Sequence, residues 1–407
     1  MRALRLFLVL LLSIAANAAS AQYQSCRAVF TATPPPINAC ADGTRYNVAV
    51  VGDVLLHQPL QRQGYASGFH TLWGEAVPFL RMADLAIANL EGPIAPGMTR
   101  GGGQRADPGA VFDGTVYTSY PMFNYNPVVL QALKEAGVDL VTTANNHALD
   151  RFSAGADMTI AQLEAAGLPF VGTVRAGAPR DFSHAVNTRI GRLIFIACTF
   201  STNGIGDPNS QVLHCYRERE ALLGLVRAHA SRADTAGVIV MPHWGIEYTE
   251  RPASTDRQLA AELVAAGASA VIGTHPHVVQ SWEILQGPAG NVPVIYSTGN
   301  FVSGQVNLPR QTGMLAWLEL CRARPGGDLG RALTVNAAVG NAGWVAMRMA
   351  RTQYGRQLIV ADPEGIADAA LPSHQLIERL VPGRAMMPRM ACTGAPAAQS
   401  AMEVSLQ

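Results

Sequence analysis

Histidine, carboxylate and amide side chains recur directly after short apolar runs in this sequence. Three runs rich in β-branched residues end at Asn145-Asn146-His147, at His243 and at His275-Pro276-His277. Two runs further upstream end in Asp53 and Glu91. All of these residue types donate oxygen or nitrogen atoms to divalent cations in proteins. The pattern therefore predicts a metal centre.

Parallel strands would bring these side chains together. Apolar runs of this kind, stopped by glycine or polar residues, indicate strands buried on both faces, and open α/β sheets hold ligands at the carboxyl ends of such strands. Amphipathic helices are expected between them, each behind a start signal such as Asn126-Pro127 or before a glycine such as Gly137. The predicted helices are residues 72–82, 127–136, 157–166, 218–232 and 255–266.

The pattern changes to β-rich segments beyond residue 281. Strands are predicted at 282–285, 292–297, 314–320 and 345–351. The expected fold class is therefore α/β, with two sheets packed face to face and helices outside, in one domain covering residues 45–390. Residues 92–125 form a long irregular connection, which is typical of lids and binding loops.

The two ends of the chain differ in composition from this domain. Residues 1–21 combine a basic start, a short apolar core and small residues, which is typical of a cleaved signal peptide and too short for a stable transmembrane anchor. We expect a periplasmic or secreted protein, with retention of the uncleaved signal as a membrane anchor as the alternative. Residues 22–44 are interpreted as a lead-in segment outside the sheets, and residues 391–407 as a disordered tail.

The net charge and the cysteine content bear on the partners of the protein and on its disulfides. The net charge of +1 predicts no nucleic-acid partner. Six cysteines in an exported chain permit disulfides, and Cys26 with Cys40, and Cys198 with Cys215, are close enough in sequence to pair. Six cysteines allow 15 connectivities, so other pairings stay open, as does a buried free thiol at Cys198. The remaining two are Cys321 and Cys392.

The residues themselves suggest roles. In extended backbone His275 and His277 point the same way and can reach one centre. Glu91 has the reach to bridge two ions, and without metal it would need an arginine partner. Asp53 offers a hard anionic oxygen, with a turn or helix cap as the alternative. The Asn145-Asn146-His147 segment offers an amide oxygen as a ligand. His147 is a candidate proton donor, with Asp150 either holding its second nitrogen or acting as a helix cap.

Six ordered motifs across residues 46–303 resemble the capsule-synthesis CapA family. Proteins of that family are associated with poly-γ-glutamate capsule production and are similar to calcineurin-like metallophosphatases. The resemblance implies a four-layer αββα sandwich with a dinuclear metal site. The motifs are VGDVLLH at 51–57, NLEGP at 89–93, TANNHALD at 143–150, HWGIEY at 243–248, IGTHPHVVQ at 272–280 and STGNF at 297–301.

The resemblance also implies roles for single residues. Asp53 matches the first ligand, Glu91 stands where a bridging aspartate is usual, and His147 matches the histidine thought to act as an acid. Leu55 replaces a histidine of the family pattern. This leaves one metal position with fewer ligands unless His57 substitutes. The implied ligands of the first position are Glu91, Asn146, His243 and His275, and those of the second are Asp53, Glu91 and His277.

These observations predict a metal-dependent hydrolase holding one or two ions of Mn, Zn or Fe. The expected substrate is a phosphoester or an amide of an anionic polymer, and capsule-export machinery is an expected partner. A non-catalytic, polymer-binding envelope factor is the alternative, and a structural domain without metal is the third interpretation. Candidate substrate-contacting residues are His57, Trp244, Glu247 and Asn300, although an aromatic residue at 244 is commonly a packing residue.

Overall fold

Two β-sheets form the centre of the molecule. The computed structural model describes residues 25–323, 337–361 and 369–393. The compact body that holds both sheets is Ala28–Arg389. The strands are β1 Ser25–Phe30, β2 Cys40–Leu55, β3 Leu85–Leu90, β4 Leu140–Thr142, β5 Phe170–Val171, β6 Ser183–Thr188, β7 Gly191–Thr199, β8 Thr235–His243, β9 Ala270–Ile272, β10 Trp282–Gly287, β11 Gly290–Ile295, β12 Asn300–Ser303, β13 Thr312–Ala323, β14 Ala337–Thr352, β15 Gly355–Val360 and β16 Pro388–Thr393.

The larger sheet has the order β15-β14-β13-β2-β3-β4-β5, with β12 also paired to β2, and the smaller has the order β10-β11-β9-β8-β7-β6. Strands β2 to β5 run parallel, and so do β7, β8, β9 and β11. Parallel strands need crossover connections, and helices supply most of them.

The helices are α1 Gln58–Ser67, α2 His70–Trp73, α3 Val77–Leu80, α4 Val128–Ala136, α5 Phe152–Ala166, α6 Arg219–Ala230, α7 Ser254–Ala265, α8 Leu308–Gln311 and α9 Leu371–Leu380. The predictions that correspond to α4, α5, α6 and α7 are confirmed. The predicted helix at 72–82 is instead divided into α2, a 3₁₀ turn at Gly74–Ala76 and α3. Pro78, which cannot donate a backbone hydrogen bond, lies in the first turn of α3.

Alternating side chains of the strands build the layers. On β2, Val50 packs into the core between the two sheets, whereas Val51 packs against α1, α2 and α4. On β7, Phe195 points into the same inter-sheet core and Ile196 contacts the α6 and α7 side. The order of layers is helix, sheet, sheet, helix, and the predicted αββα fold class is confirmed.

The segment expected to precede the sheets takes part in them. Strand β1 pairs with β16 in a separate two-stranded sheet, and residues 40–44 belong to β2 of the larger sheet, so the interpretation of a lead-in outside the sheets is wrong for residues 25–30 and 40–44. Residues 391–393 belong to β16. The predicted signal peptide at 1–21 and the rest of the predicted tail, 394–407, lie outside the described residues.

The described residues contain two disulfides. Cys198 pairs with Cys215, as expected, so the alternative of a free thiol at Cys198 is wrong. Cys40 pairs with Cys321 rather than with Cys26, because antiparallel pairing of β2 with β13 brings these residues, 281 positions apart, to a Cα separation of 5.7 Å. In the three described ranges, no helix has the length and apolar character to cross a bilayer.

Candidate metal centre

The polar strand ends converge at one rim between the two sheets. Asp53 lies in β2, Glu91 directly follows β3, and His243 ends β8. Parallel strands of one sheet finish on the same side, so the fold itself gathers these groups. The six ligands implied by the family resemblance are all buried: Asp53, Glu91, Asn146, His243, His275 and His277.

One group of potential ligand atoms consists of one atom each from Glu91, His243 and His275. These atoms all lie within 4.8 Å of one another. Nε2 of His243 lies 3.6 Å from Oε1 of Glu91 and 3.2 Å from Nδ1 of His275. The amide oxygen of Asn146 lies 2.8 Å from the same Nε2 atom. Two imidazole nitrogens, a carboxylate and an amide oxygen form a set that suits a transition-metal dication.

A second group joins Asp53, Glu91 and His277 within the same 4.8 Å limit. Nδ1 of His277 lies 3.0 Å from Oδ2 of Asp53, and its Nε2 lies 3.8 Å from Oε1 of Glu91. Glu91 therefore belongs to both groups. Leu55, where the family pattern has a histidine, packs in the helix-side core and offers no ligand.

The carboxylate of Glu91 has no arginine or lysine partner within the described chain. Both oxygens are buried without a hydrogen-bond partner, and no described arginine or lysine forms an ion pair with Glu91 or Asp53. Burial raises the pKa of Glu91 well above 4.5, and the negative charge of Asp53 raises it further. A buried carboxylate is stable only with a proton, a cation or a metal. The residues present therefore fit a bound dication.

The imidazoles are held in the form that binds metal. Burial, with a smaller contribution from neighbouring histidines, lowers the pKa of His243 well below 6.5 and that of His275 to about 3. Neutral imidazoles keep a lone pair for coordination at ordinary pH. Oxygen atoms of Thr274 and Asn300 lie 2.9 Å and 3.1 Å from Nδ1 of His243 and Nδ1 of His277, and such contacts orient ligand rings.

The backbone of the His275-Pro276-His277 segment differs from the sequence expectation. His275 and His277 have φ angles of 100° and 57°, so the expected extended conformation is wrong. Their ring centroids are 5.9 Å apart, and each ring joins a different ligand group. Positive φ is costly for residues other than glycine and is concentrated at functional sites.

His147 and Asp150 form a pair beside the ligand groups. Nδ1 of His147 lies 2.7 Å from Oδ2 of Asp150, and the backbone N–H of Phe123 donates to the same oxygen at 2.6 Å. The Phe123 ring packs edge-on against the imidazole, with centroids 4.8 Å apart. Phe123 belongs to the long connection at residues 92–125, which therefore reaches the site.

The four candidate substrate residues have different environments. Trp244 is fully buried on the α7 side of the smaller sheet, where its indole N–H donates to Tyr296, so its assignment to the pocket is wrong. Glu247 is exposed. Asn300 contacts His277. His57 belongs to neither ligand group; its Nδ1 accepts from the N–H of Gly304, and burial lowers its pKa to about 4.

Several contacts at the site were not predicted from the sequence. The Asn89 amide donates to Oδ1 of Asp53 at 2.8 Å and lies 3.2 Å from Nδ1 of His243, which joins the two groups. The Phe200 ring covers His275 at 4.4 Å. Asn89 was detectable, because residues two apart on a strand share a face and Glu91 follows it by two. Phe200 lies in a loop and carried no such signal.

The family model for the bacterial capsule synthesis protein PGA_cap matches residues 47–305. The chain belongs to this family. Two relatives are similar to part of this chain. The capsule biosynthesis protein CapA of Bacillus anthracis is 26% identical over 280 residues, which cover 65% of this chain and 61% of that protein. The PGA biosynthesis protein CapA of Bacillus subtilis strain 168 is 24% identical over 288 residues, or 67% of each chain.

Two solved structures show limited similarity to the chain. A phosphatase from Mycoplasma pneumoniae has a TM-score of 0.40 and 12% identity, with 74% of this chain and 94% of that chain covered. The NAD nucleotidase of Haemophilus influenzae has a TM-score of 0.45 and 10% identity, with 83% and 57% covered.

Proposed function

We propose that this protein is an exported, metal-dependent hydrolase that acts in the production of a capsule polymer. The observation that carries the proposal is the carboxylate of Glu91, which is buried, has no hydrogen-bond partner among the described residues, and is shared by two groups of metal-ligand atoms. Structural carboxylates are normally paired or hydrogen-bonded when buried. The membership of the PGA_cap family supports a role in capsule synthesis.

The residues of the chain divide the work. Glu91, Asn146, His243 and His275 would hold one divalent ion, and Asp53, Glu91 and His277 a second, weaker one. A bound dication supplies Lewis-acid activation of water and of the substrate oxygen. The ligand set suits Mn, Zn or Fe.

His147 would donate a proton to the leaving group. The Asp150 carboxylate lies 2.7 Å from Nδ1 of His147 and fixes the orientation of the ring, so that Nε2 would face the substrate. Phe123 limits the access of water to the ring edge.

The substrate class proposed is a phosphoester or an amide of a polymeric acid such as poly-γ-glutamate. Two disulfides in the described residues are typical of a chain outside the reducing cytoplasm. A periplasmic or secreted location after cleavage at about residue 21 accords with this, with an uncleaved membrane anchor as the alternative. Capsule-export machinery is the proposed partner.

Alanine substitution of Asn146 and of His275 tests the proposal. Metal content by mass spectrometry and turnover of phosphoester and γ-glutamyl substrates should both be lost. Asp139→Asn is a matched control, because this exposed carboxylate accepts a hydrogen bond from the backbone N–H of Ala86 at the opposite strand ends. Undiminished turnover in His275→Ala would refute the hydrolase.

A non-catalytic role has one observation in its favour. Both carboxylate oxygens of Asp53 are engaged, by Asn89 and His277, and Leu55 supplies no further ligand to the second group. A single ion would then bind an anionic polymer without cleaving it. Stoichiometric metal together with polymer binding and no hydrolysis of any tested substrate would favour this function.

A further inference from the structure

A cation without an anionic partner lies beside the metal centre. The guanidinium carbon of Arg310 is 3.7 Å from the centroid of the Tyr248 ring. Within the described chain this guanidinium forms neither an ion pair nor a hydrogen bond. Stacking occupies the face of a guanidinium and leaves its N–H edges available, and those edges match the geometry of carboxylate and phosphate.

The position of this pair is fixed by the ligand segments. The Tyr248 ring lies 6.0 Å from the His277 ring, and its backbone N–H donates to Pro276 at 2.8 Å. Tyr248 has a φ of 66°, a backbone conformation that is energetically unfavourable for residues other than glycine and is concentrated at functional sites. The backbone carbonyl of Arg310 accepts from the amide of Asn300, the residue that contacts His277.

The surroundings favour a chain-like anionic ligand. Tyr248 is 42% exposed, so the pair is open to solvent. Ile246 and Val306 lie in the same two segments as Tyr248 and Arg310 and are 59% and 61% exposed, so both segments also present apolar side chains to solvent. Glu247 is the acidic neighbour; it acts on Tyr248 electrostatically and forms no ion pair with Arg310 among the described residues.

We propose that Arg310, stacked on Tyr248, binds a second oxyanion of the substrate, adjacent to the group that reacts at the metal centre. This inference rests on the proposed function and deepens it. The preferred substrates would carry a further carboxylate or phosphate next to the scissile bond, as a polyanion does. Arg310 is then a specificity-determining residue, and the ligand groups alone bind the reacting group.

Calorimetric titration of metal-loaded protein tests the inference with two pairs of probes. One pair is tripolyphosphate and inorganic phosphate, and the other is tetra-γ-glutamate and glutamate. The variants are Arg310→Gln, Arg310→Lys and, as a control, Arg227→Gln on the α6 surface. Loss of a charge-assisted bidentate contact should weaken binding of the longer ligand of one pair by about 10- to 100-fold. The corresponding monomer should change less than about threefold, because it contacts only the ligand groups.

The lysine variant should recover part of the affinity, since it keeps the charge without the planar fork. The pair that responds identifies the oxyanion as phosphate or carboxylate. Equal losses for the long and short probes, or wild-type affinities in Arg310→Gln, would overturn the inference. So would wild-type protein that prefers the longer member of neither pair. Failure of the proposed function is seen separately, as wild-type protein that holds no metal and has no turnover.

Discussion

Substitution of Glu91 by glutamine should have opposite effects on stability without and with metal. In metal-free protein the carboxylate is buried with no hydrogen-bond partner in the described chain, next to the negative charge of Asp53. Glutamine keeps the shape and removes the charge. We therefore expect Glu91→Gln to stabilise the metal-free protein and to abolish its stabilisation by metal.

The magnitude follows from the raised proton affinity of Glu91. Folding raises its pKa above 4.5, so the metal-free wild type loses stability as the pH rises through the elevated value. Every tenfold increase in proton affinity on folding corresponds to about 1.4 kcal/mol of stability lost when the group ionises. After discounting for relaxation around the buried charge, we expect Glu91→Gln to be more stable by about 1–3 kcal/mol at pH 8 in chelator, with a smaller advantage at pH 5.

Metal should reverse this order. At a concentration about 100 times Kd, a metal stabilises the protein that binds it by about 2.7 kcal/mol, and Glu91→Gln should gain little. Thermal unfolding of both proteins, in chelator and with added Mn, Zn or Fe, measures the difference. Asp139→Asn is the control, and its effect should be the same with and without metal. The reasoning is refuted if Glu91→Gln is equally destabilised in both conditions.

Three further predictions concern other parts of the site. Asp150→Asn should keep its metal but lose at least about 10-fold in turnover, because His147 loses the carboxylate that orients its ring; wild-type turnover would contradict the proton-donor role. Alanine at both Cys198 and Cys215 should lower the free energy of unfolding by about 3 kcal/mol in denaturant titrations, because the disulfide restricts the unfolded chain. A loss below about 0.5 kcal/mol would contradict this stabilising role. In metal-free wild type, His275 alone should contribute a loss of up to about 1.4 kcal/mol per pH unit as the pH falls from 6.5 toward 3, because the unfolded side chain takes up a proton that the folded ring, with its pKa lowered to about 3, does not. His275→Asn should therefore change the slope of stability against pH by up to this amount in thermal melts, and an unchanged slope would contradict it.

The convergence of ligand residues followed from strand ends alone. Buried parallel strands are nearly continuous apolar runs, so the first polar residue after each run marks its end. His243 is the last residue of β8 and Glu91 directly follows β3, as this reasoning requires. Strand alternation also bears on Trp244, because the residue after a ligand on a strand points to the opposite face. Its burial among the α7 contacts was therefore open to prediction.

Contacts between segments that are distant in the sequence could not be predicted from it. The bond between Cys40 and Cys321 depends on the register of β2 against β13, which no local pattern specifies. Pairing by proximity gave the right answer only at Cys198 and Cys215, 17 residues apart.

The positive φ angles of His275 and His277 have the same kind of origin. Neither residue type requires this conformation, and the surrounding contacts impose it. As a result the two rings divide between the ligand groups instead of sharing one, which the interpretation of the segment as extended chain missed.

Anomalous X-ray diffraction from crystals grown with Mn or Zn tests the central claim most directly. The account predicts an anomalous peak bounded by Glu91, His243 and His275, with any second, weaker peak between Glu91, Asp53 and His277, and no peak at either place in Glu91→Gln crystals. Metal-loaded wild-type crystals without anomalous density beside Glu91 would contradict it.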